Sequence, residues 1–184
     1  MKMRRSTKAM LAALLTSASA VAAGVAPASA HVTIVTYGRG RGIVAATGCN
    51  TVYTSTYPYN PYLVPWTNSL FENAPADAMG VRARWDQIGW AGKPIWCIGG
   101  DGAMFDIGFQ SLSRMFASGM NIKVFVLDTQ VYSNTGGQAS TSTYTGQNTK
   151  MSVHGKKYDG KQERRKEIAQ IAMMHPHTFV AQTT

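Results

Sequence analysis

One short apolar run that ends in Gly-Asp-Gly constrains this chain more than anything else in it. Pro94-Ile95-Trp96-Cys97-Ile98 is bounded by glycines and rich in strand formers, so it reads as a buried strand, and Gly99-Gly100-Asp101-Gly102 follows directly. After it, Phe105, Phe109, Leu112 and Phe116 recur at helical spacing until Gly119, a residue well suited to ending a helix. Asp101 therefore sits in a strand-to-helix turn. Open α/β sheets bind ligands at such turns, because backbone N–H groups at the helix start point toward anions. A carboxylate placed there repels a phosphate unless a hard cation lies between the two. Mg²⁺ suits that place, since it takes oxygen ligands and keeps phosphate oxygens among its partners.

A second run of strand formers, Ile122-Lys123-Val124-Phe125-Val126-Leu127, delivers Asp128 and Thr129 to the same edge. Thr129 offers a hydroxyl and Val131 a main-chain carbonyl. With Asp101 they make a three-oxygen face for Mg²⁺, the other ligands being diphosphate and water. Gly136-Gly137 lets the backbone come close to a ligand. A lone Gly-Asp-Gly is a common turn; strand, Gly-Asp-Gly, helix, strand and a polar Asn/Gly loop in that order are far more specific.

Gly-Asp-Gly with Asn134 placed 33 residues after Asp101 resembles the thiamine-diphosphate motif. The run from Val126 to Gln138 (VLDTQVYSNTGGQ) resembles its version in pyruvate:ferredoxin (flavodoxin) oxidoreductases, the wider 2-oxoacid:ferredoxin oxidoreductase family, and the likeness extends over residues 43–182. The resemblance implies a parallel-sheet α/β thiamine-diphosphate-binding fold, incomplete at both ends. It implies that Asp101, Thr129 and the Val131 carbonyl hold Mg²⁺, and that Gly100, Gly102, Ala103, Tyr132 and Ser133 line the cofactor with them. It places Asn134 beside the thiazolium and substrate as the catalytic residue. The implied chemistry is oxidative decarboxylation of a 2-oxo acid such as pyruvate, with the thiazolium as electron sink and ferredoxin or flavodoxin as acceptor. Coenzyme A and the remaining domains or subunits of the oxidoreductase are the other implied partners.

The same family suggests a role for Cys49. Ala46-Thr47-Gly48-Cys49, then Tyr57-Pro58-Tyr59-Asn60-Pro61-Tyr62 and Pro65 to Glu72, look like the family segment whose cysteine ligates the [4Fe–4S] cluster nearest the thiamine. A cluster needs about four thiolates. The chain has two cysteines, and Cys97 falls inside the strand before Gly-Asp-Gly, where packing is its expected role. Cys49 is thus a cluster ligand only if partner cysteines complete the set; on its own it reads as a buried thiol.

Residues 1–30 follow a different pattern from the rest. Lys2, Arg4, Arg5 and Lys8 precede an Ala/Leu-rich run, and Ala28-Ser29-Ala30 is a small-x-small cleavage signature, so the segment reads as a secretory leader ahead of a thiamine-diphosphate-binding domain over 31–184. A genuine leader implies export to the periplasm or beyond, whereas the family resemblance implies the cytoplasm. A mis-started reading frame is the alternative origin for this segment. After leader removal no run is long enough to span a membrane.

Charge narrows the partners further. The chain carries 18 Lys and Arg against 9 Asp and Glu, but four of those cations lie in the leader and seven fall between Lys150 and Lys166. Without interleaved aromatics or a binding module, this local excess reads as a solvated helix face rather than a nucleic-acid surface.

The pattern predicts strands near 43–47, 94–99, 122–128 and 178–182, with helices over 75–90, 105–116 and 159–174 and an irregular segment over 139–160. His175 and His177 flank a proline with no third metal ligand in view. A truncated chain without turnover, or an exported binding protein on the same fold, are the competing readings of the whole.

Overall fold

The computed structural model describes residues 40–54, 64–152 and 160–183. The leader and the Tyr57 to Tyr62 part of the resemblance lie outside the described residues. In chain order the elements are β1 (Gly42–Ala46), α1 (Cys49–Thr54), β2 (Trp66–Ser69), α2 (Ala74–Gln87) and β3 (Ile95–Gly100). A π-helical turn (Gly102–Asp106), α3 (Phe109–Ser118), β4 (Ile122–Leu127), the hairpin strands β5 (Val131–Tyr132) and β6 (Gln138–Ala139), and α4 (Ile168–Met173) follow.

The first four strands form one parallel sheet in the order β2-β1-β3-β4. The chain steps outward from β1 to β2, then returns past β1 to lay down β3. The strand order therefore reverses between β1 and β3, and the crevice beyond the carboxyl ends of those two strands is where such sheets bind ligands. Cys49 follows the end of β1, and Asp101 the end of β3.

The core forms because β1 and β3 are apolar on consecutive positions, as strands covered on both faces must be. Every residue of β1 is buried. Val44, Ala46, Ile95 and Cys97 of the sheet pack with Ala74 and Ala78 of α2, Leu112 and Met115 of α3, and Phe105 of the π turn. Leu112 is 0% exposed, and burying one such side chain contributes about 1.5–3 kcal/mol. α3 ends at Gly119, whose φ of 65° is the left-handed conformation that glycine adopts without strain. No helix among the described residues is long and apolar enough to cross a membrane.

Several expectations need correcting. Residues 178–182 are not a strand: Thr178 N closes a turn onto His175 O (3.0 Å) just after Pro176, Phe179 is exposed, and no described strand pairs with them. The helix expected over 159–174 is helical only in α4. Upstream of it the backbone spends its hydrogen bonds on the neighbouring loop, with Gly146 N donating to Lys161 O (2.8 Å), Lys161 N to Gln147 O (3.1 Å) and Lys166 N to Thr141 O (2.8 Å). For the same reason the basic stretch is not a plain solvated face. Lys161 is buried with Nζ donating to the Thr141 and Thr143 carbonyls, Lys166 Nζ donates to Phe105 O, and Arg165 pairs with Asp128. The helix expected over 105–116 is split, its first turn being the π turn. His175 stacks on Phe116 and its Nδ1 lies 3.1 Å from Ile171 O.

Candidate functional site

Asp101 leaves the end of β3 with helical backbone angles and opens the π turn, which Ile107 N closes onto Gly102 O at 2.9 Å. The residue is 3% exposed. Oδ1 accepts Thr129 N (2.9 Å) and lies 3.2 Å from Thr129 Oγ1; Oδ2 accepts the hydroxyls of Ser140 (2.8 Å) and Ser142 (2.6 Å). Thr129 Oγ1 in turn lies 3.0 Å from the Val131 carbonyl and accepts Ser133 Oγ at 3.0 Å. The Val131 carbonyl reaches this place because Gln130 takes a left-handed φ of 66°, held by its N–H on Asp128 Oδ1 (3.2 Å). An Asx turn of that kind bends the chain back toward the strand it has just left.

Asp101 Oδ1, Thr129 Oγ1 and Val131 O thus follow one another at 3.2 and 3.0 Å. Octahedral Mg²⁺ with bonds of about 2.0–2.1 Å sets neighbouring ligand oxygens about 3 Å apart, which matches each of these two spacings. Thr129 has a single hydroxyl proton for the two oxygens beside it, which leaves lone pairs free for a cation.

Electrostatics agree with the spacing. Asp128 is balanced by Arg165 at 2.6 Å, while Asp106 accepts the Tyr132 hydroxyl (2.5 Å) and the Thr141 hydroxyl. Among the described residues Asp101 makes no ion pair. Burial pushes its carboxyl up from the usual range and the Asp128 charge adds to the rise, against hydrogen bonds from Ser142, Ser140 and Thr129 N that pull it down. A divalent cation, if bound here, would supply the charge this carboxylate lacks.

The other expected residues are placed as follows. Gly100 ends β3 and Ala103 is buried in the core. Gly102 makes room for Tyr132, since a Cβ there would lie 3.3 Å from the tyrosine ring. Tyr132 points its hydroxyl at Asp106, and burial, followed by that bond, raises its pKa. Ser133 joins the Thr129 and Val131 oxygens. Asn134 stands apart: it is exposed in the turn between β5 and β6, outside the hydrogen-bonded cluster.

Cys49 begins α1 and is partly buried, its thiol pushed up by burial and then by the charge of Asp101. Both cysteines are free thiols, Cys97 is fully buried in β3, and no three His, Cys, Asp or Glu side chains among the described residues are grouped to hold a metal. The donors present do not fit a [4Fe–4S] cluster.

Sequence reasoning missed Ser140 and Ser142, and the carboxylate of Asp106 one π turn beyond Asp101. The signal available was the hydroxyl run Ser140-Thr141-Ser142-Thr143 inside a segment otherwise read as irregular.

Comparison with known proteins identifies the domain. The family model "Thiamine pyrophosphate enzyme, C-terminal TPP binding domain" matches residues 46–184. Pyruvate synthase subunit PorB of Pyrococcus horikoshii is 43% identical over 139 residues, covering 76% of this chain and 42% of the relative. PorB of Thermotoga maritima is 38% identical over 143 residues, covering 74% and 44%. Pyruvate-flavodoxin oxidoreductase of Rhodospirillum rubrum is 29% identical over 211 residues, covering 76% of this chain and 17% of that protein. The chain therefore spans less than half the length of these relatives. Among solved structures, a 2-oxoglutarate:ferredoxin oxidoreductase from Magnetococcus marinus shares the fold with a TM-score of 0.59 at 22% identity, over 74% of this chain and 42% of that one. The chain belongs to the thiamine pyrophosphate enzyme family, as a C-terminal TPP-binding domain of the kind found in 2-oxoacid oxidoreductases.

Proposed function

We propose that this chain is the thiamine-diphosphate and Mg²⁺-binding part of an oxidoreductase that oxidatively decarboxylates a 2-oxo acid such as pyruvate and passes the electrons to ferredoxin or flavodoxin. The observation that carries the reading is the file of three oxygens, Asp101 Oδ1, Thr129 Oγ1 and Val131 O, at octahedral spacing on the carboxyl edge of the sheet. When bound, the cofactor supplies the electron sink for loss of CO₂. The chain's own share is binding and orientation. Asp101, Thr129 and the Val131 carbonyl hold the cation that neutralises the diphosphate, Ser133 fixes the two loop oxygens, and Gly100, Gly102, Ala103 and Tyr132 shape the turn around them.

Asn134 is placed in this reading at the substrate side of the cofactor, and its exposure supports a role toward a group outside the cluster. Cys49 serves as a cluster ligand only where partner cysteines complete the set, and electrons leave through the remaining domains or subunits. Residues 1–30 are a cleavable leader in the exported version of this proposal and a mis-started reading frame in the cytoplasmic one.

The test is a calorimetric titration of the full chain with thiamine diphosphate, with and without Mg²⁺. Binding that appears only with the cation is the expected result. Equal binding in excess chelator, or none in either condition, overturns the assignment.

A further inference from the structure

We propose that Ser140 and Ser142 hold Asp101 as a one-oxygen ligand and thereby set this site to prefer Mg²⁺ over Ca²⁺; the inference rests on the Mg²⁺ reading above. Both hydroxyls lie against the same carboxylate oxygen, Oδ2, at 2.8 and 2.6 Å, and 2.8 Å from each other. Two hydroxyl protons are shared among three oxygens. The carboxylate oxygen is the strongest acceptor among them, and the further hydroxyl in reach of Ser140 Oγ, that of Thr143, lies at 3.4 Å, so Oδ2 draws these protons.

The surrounding loop directs those protons toward the carboxylate. Ser142 N donates to Ser140 Oγ at 3.2 Å, Ser140 N donates to Thr143 Oγ1 at 2.9 Å, and the Thr143 hydroxyl donates to Gln130 O. Backbone donors thus occupy one lone pair of Ser140 Oγ and one of Thr143 Oγ1, which favours serine protons facing Oδ2. Ser140 is 4% and Ser142 0% exposed, so neither hydroxyl can turn to solvent instead. The other oxygen, Oδ1, is the one on the Thr129 side, and it is left as the cation's ligand.

That division separates the two cations. Mg²⁺ demands octahedral geometry at about 2.0–2.1 Å and uses single carboxylate oxygens; Ca²⁺ takes about 6–8 oxygens at 2.3–2.6 Å and often both oxygens of one carboxylate. Tying Oδ2 to two hydroxyls removes the extra ligand that the larger ion would recruit. Ser140 and Ser142 touch the ligating carboxylate, not the cation, and are positioning residues.

The experiment measures the affinity of the full chain for thiamine diphosphate in saturating Mg²⁺ and, separately, in saturating Ca²⁺. The unaltered chain should bind more tightly with Mg²⁺. Ser140→Ala and Ser142→Ala should each lower the Mg²⁺-supported affinity by about tenfold, as loss of a residue supporting a ligand does, and leave the Ca²⁺-supported affinity unchanged or raised. Ser140→Thr retains a hydroxyl and should restore the preference. A purely structural role lowers both affinities together and leaves their ratio fixed, which overturns the proposal. Equal affinity with the two cations in the unaltered chain overturns it as well, and that measurement needs no variant to fold. Cation-dependent binding with an unmoved preference defeats only this inference, whereas absence of any cation-dependent binding defeats the Mg²⁺ reading beneath it.

Discussion

Asp101 is a buried anion whose partners in this chain are hydroxyls and one N–H. Such a group costs the folded protein stability until a cation arrives, because burial removes water that four hydrogen bonds only partly replace. Asp101→Asn keeps the shape and removes the charge. Thermal melts in chelator should show the variant at least as stable as the parent, while its Mg²⁺-supported cofactor affinity falls by more than about 100-fold, beyond the usual 10–100-fold effect of residues that only support a ligand. A variant that still bound the cofactor with Mg²⁺ would show that another group holds the cation. A second residue-scale effect concerns Cys97, whose thiol burial pushes from its ordinary 9.0 to about 12, with the Asp77 charge adding to it. The fold favours the protonated thiol, so this contribution is complete below pH 9.0 and is lost as pH rises from there toward about 12. By linkage the loss is on the order of 1 kcal/mol at pH 10. Urea midpoints of the parent and Cys97→Ala at pH 8 and pH 10 should show a gap that narrows at the higher pH; a constant gap would mean that the thiol does not titrate on unfolding.

At the scale of elements, the strand-turn-helix carrying Asp101 was legible because each piece has a local cause: an apolar strand, a glycine-flanked aspartate, helical spacing and a terminal glycine. The π turn was not. It inserts between β3 and α3 without changing the apolar spacing, and it becomes visible only through the Ile107 N to Gly102 O bond. Its tightness is testable at Gly108, where an added Cβ would lie 1.9 Å from the Ala103 carbonyl oxygen and 3.0 Å from the Glu72 Cα, both backbone atoms. Gly108→Ala should destabilise the protein by about 1–3 kcal/mol, the range for an overpacked site, and loosen Mg²⁺-dependent binding with it. An unchanged urea midpoint would show that the junction relaxes freely. β2 also escaped sequence reasoning, because four residues with polar Thr67, Asn68 and Ser69 become a strand only by pairing with β1. Residues 178–182 failed in the opposite sense: their composition suits a strand, and no strand among the described residues pairs with them. Ser140 and Ser142 were unreadable for a related reason, since a hydroxyl run signals a loop until the carboxylate 39 and 41 residues earlier is seen beside it.

For the whole molecule, the proposed cation site and the proposed redox chemistry separate physically. Asp101, Thr129 and Val131 are fixed by one sheet edge and one hairpin, and nothing outside this chain is needed to bring them together. Electron removal is different. The chain spans 42% of the Pyrococcus PorB relative and contains two cysteines, one of them sealed inside β3, against the four thiolates or so that a cubane cluster requires. Binding and turnover should therefore come apart in an anaerobic assay of the purified chain with thiamine diphosphate, Mg²⁺, pyruvate and a low-potential acceptor dye. Cofactor binding is expected to proceed, and reduction of the dye to stay at the level of a protein-free control. Addition of the remaining subunits of a pyruvate synthase should raise dye reduction above that control only when this chain carries an intact Asp101. Dye reduction by the chain alone would mean that electrons find a route that its own residues do not supply by any cluster, and the division of labour between this domain and its partners would have to be redrawn.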